Sequence, residues 1–281
     1  MLFRKPIFNS VNVVDHHPNI RTVNVTRYVT PLREGSSLPA IVEADDDGLY
    51  VLKFRGAGQG VKALIAELVA GEIGRALGLR VPDIVFANLD PALGQMEPDP
   101  EIQDLLRASA GLNLAIDYLP GSIAFAPNAD HVDATLASRI VWFDSLVTNI
   151  DRTPRNANLL VWHKNIWLID HGASLYFQHG WDNWETHVLR PFAQVKDHVL
   201  LPFAGDLDGA DAELRARLDP GLIEGIVSLI PDAWLSEVVT GKETSMTNNT
   251  KRSVYTAFLR ERLAVSGTFV KEAQDARQRC I

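Results

Sequence analysis

Short apolar runs separated by turn residues dominate the first third of the chain. Four such runs lie at residues 22–30, 38–43, 50–54 and 84–89. They are rich in β-branched and aromatic residues, and this composition between turn residues predicts β-strands. Between the third and fourth runs, apolar residues recur at helical spacing at Leu64, Ile65, Leu68, Val69, Ile73 and Leu77. This spacing predicts an amphipathic helix over about 60–78 that ends at Gly78.

Helical spacing becomes the main pattern further along the chain. A loop rich in Pro, Asp and Glu at 90–100 leads to a short predicted helix at about 101–109 and a strand at 112–119. Residues 131–147 again have apolar positions at helical spacing, and the chain after about 185 has a mainly helical pattern.

These elements predict an α+β protein with two lobes. We place the boundary near Pro120. Residues 1–119 would form a small mixed, β-rich N-lobe, and residues 120–281 a mainly helical C-lobe. A chain of 281 residues with 46% hydrophobic content is long enough to bury such a core.

A hairpin is predicted directly after the helix at 131–147. The apolar runs at 157–162 and 166–169 are joined by His163, Lys164 and Asn165. The hairpin would return Asp170, at the end of its second strand, towards Asn156, just before its first strand. Asn158 competes with Asn156 for this position.

The polar residues around this hairpin have the layout of a phosphotransferase site. Asp151 precedes Asn156 by five residues in a loop broken by Pro154. Asp151 would accept the proton of an acceptor hydroxyl, while Asn156 and Asp170 offer the hard oxygens that Mg²⁺ takes from proteins.

A cation for nucleotide phosphates is predicted on the third strand, at Lys53. Glu67, on the helix that follows, would form an ion pair with Lys53 and orient it. Glu72 lies on the same helix and is an alternative partner.

Two glycine-containing segments compete for the role of a loop over the phosphates. The first lies between two predicted strands and offers Gly35, Ser36 and Ser37, whose amides and hydroxyls would contact the phosphates. The second is the richer glycine run at 56–60, directly after the Lys53 strand.

Taken together, these residues resemble the HipA-like kinases and, more distantly, the type II phosphatidylinositol 4-kinases. The resemblance spans roughly residues 22–200 and is most specific in Asn-Ile-Asp-Arg at 149–152 and Leu-Ile-Asp-His-Gly-Ala-Ser at 168–174. It implies a two-lobed, protein-kinase-like fold that binds ATP and Mg²⁺. The ATP and metal residues of the family fall on Lys53, Asp151, Asn156 and Asp170.

The same resemblance implies a hinge between the lobes. The segment at 115–121 is similar to the family's hinge, where the backbone of Asp117, Tyr118 and Leu119 would contact adenine.

Departures from the protein-kinase pattern favour a resemblance to the HipA-like and lipid kinases. Asn149 stands where protein kinases have His, and Asp-His-Gly at 170–172 replaces Asp-Phe-Gly. Because no Ala-Pro-Glu segment follows, an activation loop of the protein-kinase type is not assumed.

The expected activity is transfer of the γ-phosphoryl group of ATP to a hydroxyl of a protein Ser or Thr. The acceptor is unknown, and the protein itself is one candidate through the Ser/Thr-rich tract at 244–250. The alternatives are a small-molecule or lipid head-group kinase, a non-catalytic ATP-binding regulatory module, and an adenylyl-transferring relative.

Other polar and aromatic residues near the site are interpreted as structural. We expect His171 to pack or hydrogen-bond and Arg152 to brace the loop. A cluster of His179, Trp181 and Trp184 is expected to pack rather than to contact the acceptor.

Net charge and cysteine content bear on the binding partners and the cellular compartment of the protein. The formal net charge of −8 argues against general nucleic-acid binding, which depends on a Lys/Arg surface. The single cysteine, Cys280, excludes an intramolecular disulfide and fits a reducing compartment. With no apolar stretch of signal-peptide or membrane-spanning type, we expect a cytoplasmic protein without a membrane span.

Overall fold

A five-stranded barrel forms the first part of the protein. The computed structural model describes residues 19–32, 38–236 and 246–280. The strands are β1 (Thr22–Pro31), β2 (Ala40–Ala44), β3 (Leu49–Lys53), β4 (Ile84–Leu89) and β5 (Gly111–Asp117). Their order is β1-β2-β3-β5-β4, and a parallel pairing of β1 with β4 closes the sheet.

The alternation of side chains along β3 determines what faces the site. Tyr50 and Leu52 are buried in the interior of the barrel, together with residues of the other strands. Because side chains alternate along a strand, Lys53 points to the opposite face, towards the helix that follows.

That helix, α1 (Val61–Ala76), is buried along most of its length. Gly60 precedes it with a φ of 63°, and Gly78 follows it with a φ of 74°, so each glycine adopts the left-handed backbone that other residues avoid. The predicted helix at 60–78 is therefore confirmed, with the chain reversing at Gly78. The second helix of this part, α2 (Pro100–Ala108), begins after an Asp99 cap.

A small antiparallel sheet opens the second part of the protein. It contains β6 (Ile123–Ala124), β7 (Leu159–Trp162) and β8 (Asn165–Leu168), in that order. The predicted hairpin is present, but its turn is one residue shorter than expected, because Asn165 pairs with Trp162. The two turn residues, His163 and Lys164, have φ values of 47° and 63°. Positive φ at both positions is typical of a type I′ turn, which matches the twist of the two strands.

Helices make up most of the remaining chain. They are α3 (Ala134–Val147), α4 (Trp184–Val188), α5 (Leu207–Arg217), α6 (Pro220–Ser228), α7 (Asp232–Leu235), α8 (Asn248–Ala264) and α9 (Gly267–Cys280). Helix α3 is almost fully buried and is in contact with α5, α8 and α9. One hydrophobic core continues from α1 into these helices, separate from the core inside the barrel.

We use N-lobe for β1 to β5 with α1 and α2, and C-lobe for the elements from β6 onwards. The indole N–H of Trp234 in α7 donates to the carbonyl of Leu112 in β5 at 3.1 Å, and its ring contacts Phe86 of β4 edge-on. The amide of Leu168 donates to the carbonyl of Arg80 at 2.8 Å. These contacts join the two lobes. In the described part of the chain, no helix is both long enough and apolar enough to cross a membrane.

Candidate active site

Three charged side chains from both lobes meet in a cleft. The Lys53 Nζ at the end of β3 lies 2.6 Å from Asp170 Oδ1, which follows β8, and 3.5 Å from Glu67 Oε2 in the middle of α1. The Lys53 side chain is 12% exposed and that of Glu67 only 2%. The structure thus brings together one cation and two carboxylates that are distant in the sequence.

The charges of this cluster stabilise one another. Burial by itself would lower the pKa of Lys53, but the negative charges of Glu67 and Asp170 raise it to about 12. Burial would raise the pKa of Glu67, but the Lys53 charge and hydrogen bonding from His171 lower it to about 2. Lys53 is therefore protonated and Glu67 ionised throughout the physiological pH range.

Glu67 also contacts the segment that carries Asp170. The backbone amide of His171 donates to Glu67 Oε2 at 2.8 Å, and the His171 Nδ1 lies 3.2 Å from Glu67 Oε1. His171 is completely buried, with its ring edge-on to Phe143. The other candidate, Glu72, instead lies 3.2 Å from Arg75.

The loop after α3 places Asp151 beside Asn156. The amide nitrogen of Asn156 donates to Asp151 Oδ2 at 2.7 Å, and the backbone amide of Asp151 donates to the side-chain oxygen of Asn149 at 3.1 Å. Partial burial and the nearby charge of Asp170 raise the pKa of Asp151, although the hydrogen bond from Asn156 opposes this shift. Asp151 is therefore more basic than an ordinary aspartate.

The candidate metal ligands lie at the open end of the hairpin. Asp170 has a φ of 54°, a left-handed conformation that Asp tolerates better than most residues. Asn158 also has a positive φ and is buried, whereas Asn156 is exposed to solvent. In the described ranges, no group of three or more His, Cys, Asp or Glu residues forms a metal site. Two carboxylates and an amide nevertheless provide hard oxygens, which fit Mg²⁺ better than a softer metal.

A buried network holds the Asp151 loop against α3. Arg152 and Asp144 are both inaccessible to solvent, and Arg152 Nε donates to Asp144 Oδ2 at 2.5 Å. Arg152 also donates to the carbonyl of Asn158, while Asn149 donates to Asp144 at 2.9 Å. His198 Nε2 lies 2.9 Å from the same carboxylate. Burial would raise the pKa of Asp144, but the Arg152 charge and the His198 contact hold it well below its ordinary value.

Comparison with known proteins decides the family. The sequence profile described as HipA-like kinase matches residues 25–262. The chain belongs to the HipA-like kinase family. The expected family is therefore confirmed, and the protein is a kinase by its family. No curated protein sequence matches the chain.

One of the similar solved structures supports the fold of this HipA-like kinase. The crystal structure of the Helicobacter pylori proinflammatory kinase CtkA has a TM-score of 0.55 at 14% identity, covering 90% of this chain and 99% of that one. The crystal structure of the Golgi casein kinase with Mn/ADP bound has a TM-score of 0.45 at 11% identity, covering 92% and 74% of the two chains. The likeness to CtkA confirms the predicted two-lobed, protein-kinase-like α+β fold.

Two residues of the HipA-like kinase site have roles that sequence reasoning missed, Asp144 and His198. Asp144 did carry a signal, because it is a lone acid within the apolar run at 140–147. His198 carried none, since it lies 54 residues further along the chain. For Arg152, the structure has the bracing contacts that the sequence suggested.

Of the two candidate phosphate loops, only the run at 56–60 lies within the described residues. Gly35, Ser36 and Ser37 lie outside the described residues. The run at 56–60 reaches the cleft of the HipA-like kinase, because Ala57 and Gln59 line it beside Lys53. A side chain at position 56 would collide with Ala108, so glycine is required there for close packing on α2.

The expected hinge follows β5. The amide of Asp117 already donates to the carbonyl of Asp83 at 2.8 Å, and that of Tyr118 to the carbonyl of Leu49 at 3.0 Å. Both donors are therefore engaged within the HipA-like kinase itself. Of the three expected hinge residues, only Leu119 has an amide without a hydrogen-bond acceptor in the described part of the chain.

The aromatic cluster at 179–184 lies against the C-lobe core. The Trp181 ring packs edge-on against Phe177 and Tyr255, with centroid distances of 6.1 Å and 5.4 Å. Trp184 packs against the same core. Trp181 and Trp184 therefore pack, as expected from the sequence.

Proposed function

We propose that this HipA-like kinase transfers the γ-phosphoryl group of ATP to a hydroxyl, and that a protein Ser or Thr is the acceptor. The observation that carries the proposal is the meeting of Lys53 and Asp170 from opposite lobes at 2.6 Å, supported by Glu67. Phosphoryl transfer depends mainly on positioning and charge stabilisation, and a preorganised cation between two lobes supplies both.

Each residue of the site has a role in this reaction. Lys53, which stays protonated, binds the phosphates, and Glu67 keeps it oriented. The acceptor oxygen forms a bond to the γ-phosphorus, the bond to the bridging oxygen breaks, and ADP leaves. Asp151 accepts the proton of the hydroxyl, for which its raised pKa suits it.

Magnesium and adenine have candidate partners on this chain. Asn156 and Asp170 would hold Mg²⁺, which when bound neutralises phosphate charge. The hydrogen bond of the Asn156 amide nitrogen to Asp151 leaves its amide oxygen as the group for the metal. For the phosphates, Gly35, Ser36 and Ser37 remain our first candidates, with the 56–60 run as the rival. Adenine would contact the backbone at 117–119, with the amide of Leu119 as the donor, because those of Asp117 and Tyr118 donate within the protein.

Within the tract 244–250, self-modification at Thr247 or Thr250 would require local unwinding at the start of α8. Thr247 caps this helix by accepting from the amide of Thr250, and its hydroxyl contacts that of Thr250 at 2.9 Å. Both hydroxyls are thus engaged in the first turn of a helix. We propose that the acceptor is a separate protein or residues 244–245, which lie outside the described residues.

Intact-mass spectrometry after incubation with ATP and Mg²⁺ tests the reaction, with nucleotide products measured in parallel. We expect ADP release, or a phosphate-sized mass gain, that Asp151→Ala abolishes while ATP binding is kept. Asp170→Ala should weaken Mg²⁺-dependent ATP binding as well. Asp104→Ala, at an exposed position on α2, is the control and should behave as wild type.

Other outcomes would point to other functions. An unaltered rate in Asp151→Ala would overturn the role of Asp151. An adenylyl-sized mass gain would indicate AMP transfer instead, and ATP binding with no turnover would indicate a regulatory module.

A further inference from the structure

A second cavity opens beside the Asp151 loop, on the C-lobe. It has a volume of about 470 Å³, which is within the usual range for ligand sites. Its lining includes Thr148, Ile150, Tyr176, Arg190, Phe192 and Arg262. We call it the C-lobe cavity. Because Ile150 directly precedes Asp151, the cavity borders the loop that carries the residue proposed to accept the hydroxyl proton.

The C-lobe cavity has a buried positive charge in its wall. Arg262 is 1% exposed and donates only to backbone carbonyls within the described chain, those of Ser145, Leu146, His187, Val188 and Arg190. Burial lowers the pKa of Arg262 to about 10, so it remains charged at neutral pH. A buried charge without a counter-charge is costly, and a bound anion would offset that cost.

A second arginine reaches solvent at the mouth of the cavity. Arg190 is exposed, and its guanidinium lies 3.4 Å from His187 Nδ1. Burial and the positive charges of Arg190 and Arg262 lower the pKa of His187. Among the described residues that line the cavity, none is acidic. A cationic cavity is notable in a chain with a net charge of −8.

Apolar side chains form the rest of the C-lobe cavity. Tyr176 and Ile150 remain 51% and 40% exposed at its rim, although both are large apolar residues. Phe192 and Phe258 line its inner wall. Apolar walls with a few cationic groups suit a carboxylate on a short aliphatic stem.

We propose that the C-lobe cavity is an acceptor subsite that takes an Asp or Glu side chain of the peptide to be phosphorylated. This inference rests on the proposed protein-kinase activity. Arg190 forms the charge-assisted contact to the carboxylate, while Arg262 adds positive potential from within the wall. The side chain in the cavity fixes the distance along the peptide to the hydroxyl at Asp151, so acidic residues are favoured at one offset.

A peptide library with a central Ser or Thr tests this subsite, using the full chain with ATP and Mg²⁺. At one offset, we expect kcat/KM to be about tenfold higher for Asp or Glu than for Asn or Gln, as a charge-assisted hydrogen bond would give. Arg190→Gln should remove this preference, mainly by raising KM. Arg190→Glu should reverse it, so that Lys or Arg is favoured at the same offset.

Lys196→Gln is the matched control, because it removes an exposed cation from a nearby segment outside the cavity. It should keep the acidic preference. The inference is overturned by an absence of acidic preference at every offset, by its persistence in Arg190→Gln, or by its loss in Lys196→Gln. Transfer to the protein itself but to no peptide also overturns it, and leaves the kinase proposal intact. No phosphoryl transfer of any kind overturns both.

Discussion

Glu67 links the two lobes through a single buried carboxylate. One oxygen contacts Lys53 and the backbone amide of His171, and the other contacts the His171 ring. The residue therefore positions both the phosphate cation and the segment that begins with Asp170. The ion pair with Lys53, which the sequence suggested, is one of these three contacts.

The charge of Lys53 and the hydrogen bonds from His171 lower the pKa of Glu67 more than burial raises it. The free energy of unfolding therefore depends on pH through Glu67. Its pKa in the folded protein is about 2, below the ordinary 4.5. A lowered pKa contributes stability that is complete above about pH 4.5 and is lost as the pH falls towards 2. The shift corresponds to about 3 kcal/mol. We expect Glu67→Gln to lower the free energy of unfolding in urea at pH 7, with a deficit that narrows by pH 3.

An exposed glutamate on α8 provides the control for this pH dependence. Glu261→Gln should unfold like wild type at both pH values. A deficit for Glu67→Gln that is equally large at pH 3 and pH 7 would show that lost packing, rather than the ionised carboxylate, is responsible.

At the scale of elements, Asp144 connects α3, the Asp151 loop and the segment that contains His198. Arg152 binds Asp144 through two nitrogens, and the amide of Val199 donates to the Arg152 carbonyl at 3.0 Å. The His198 Nδ1 accepts from the amide of Leu200, so its Nε2 carries the proton directed at Asp144. Asp144 thereby holds the loop through an ion pair with Arg152 and a hydrogen bond with His198.

These two contacts should differ in what they contribute. Asp144→Ala leaves Arg152 buried without a counter-charge and should cost about 3–5 kcal/mol of unfolding free energy. His198→Ala removes a hydrogen bond to a charged group and should cost about 1.5–3 kcal/mol. Chemical unfolding of both variants and of wild type measures which substitution costs more unfolding free energy. Equal losses would mean that Asp144 does not stabilise the Arg152 charge.

At the scale of the molecule, separate contacts join the two lobes. Trp234 contacts Leu112 and Phe86 away from the cleft lining, and Lys53 pairs with Asp170 within the cleft. A nucleotide that binds Lys53, Asn156 and Asp170 would contact both lobes together and stabilise the whole fold.

Thermal unfolding with a non-hydrolysable ATP analogue and Mg²⁺ tests this coupling. At an analogue concentration about 100 times its Kd, we expect a rise in Tm on the order of 5 °C. The rise should be absent in Asp170→Ala at the same concentration and present in Asp104→Ala. An unchanged rise in Asp170→Ala would exclude Asp170 from nucleotide and metal binding.

Local elements of the fold were largely predictable from the sequence. Helix α1 ends before Gly78, and β7 lies within its predicted run, because periodicity and turn residues act over a few neighbouring positions. Strand β8 begins one residue before its predicted run, at Asn165. The turn length was wrong by one residue, since pairing register depends on both strands together. The division at residues 119 and 120, the individual site roles and the cytoplasmic location stay predictions.

The sequence by itself determined the elements, the family and the residue types of the site, because each of these depends on spacing and motifs within short segments of the chain. The tertiary structure decided which distant residues meet. The parallel pairing of β1 with β4 closes the barrel, His198 reaches Asp144, and Arg262 lines a cavity beside Ile150. Such contacts depend on the path of the whole chain between them and on burial that strengthens charge interactions, neither of which a local pattern contains.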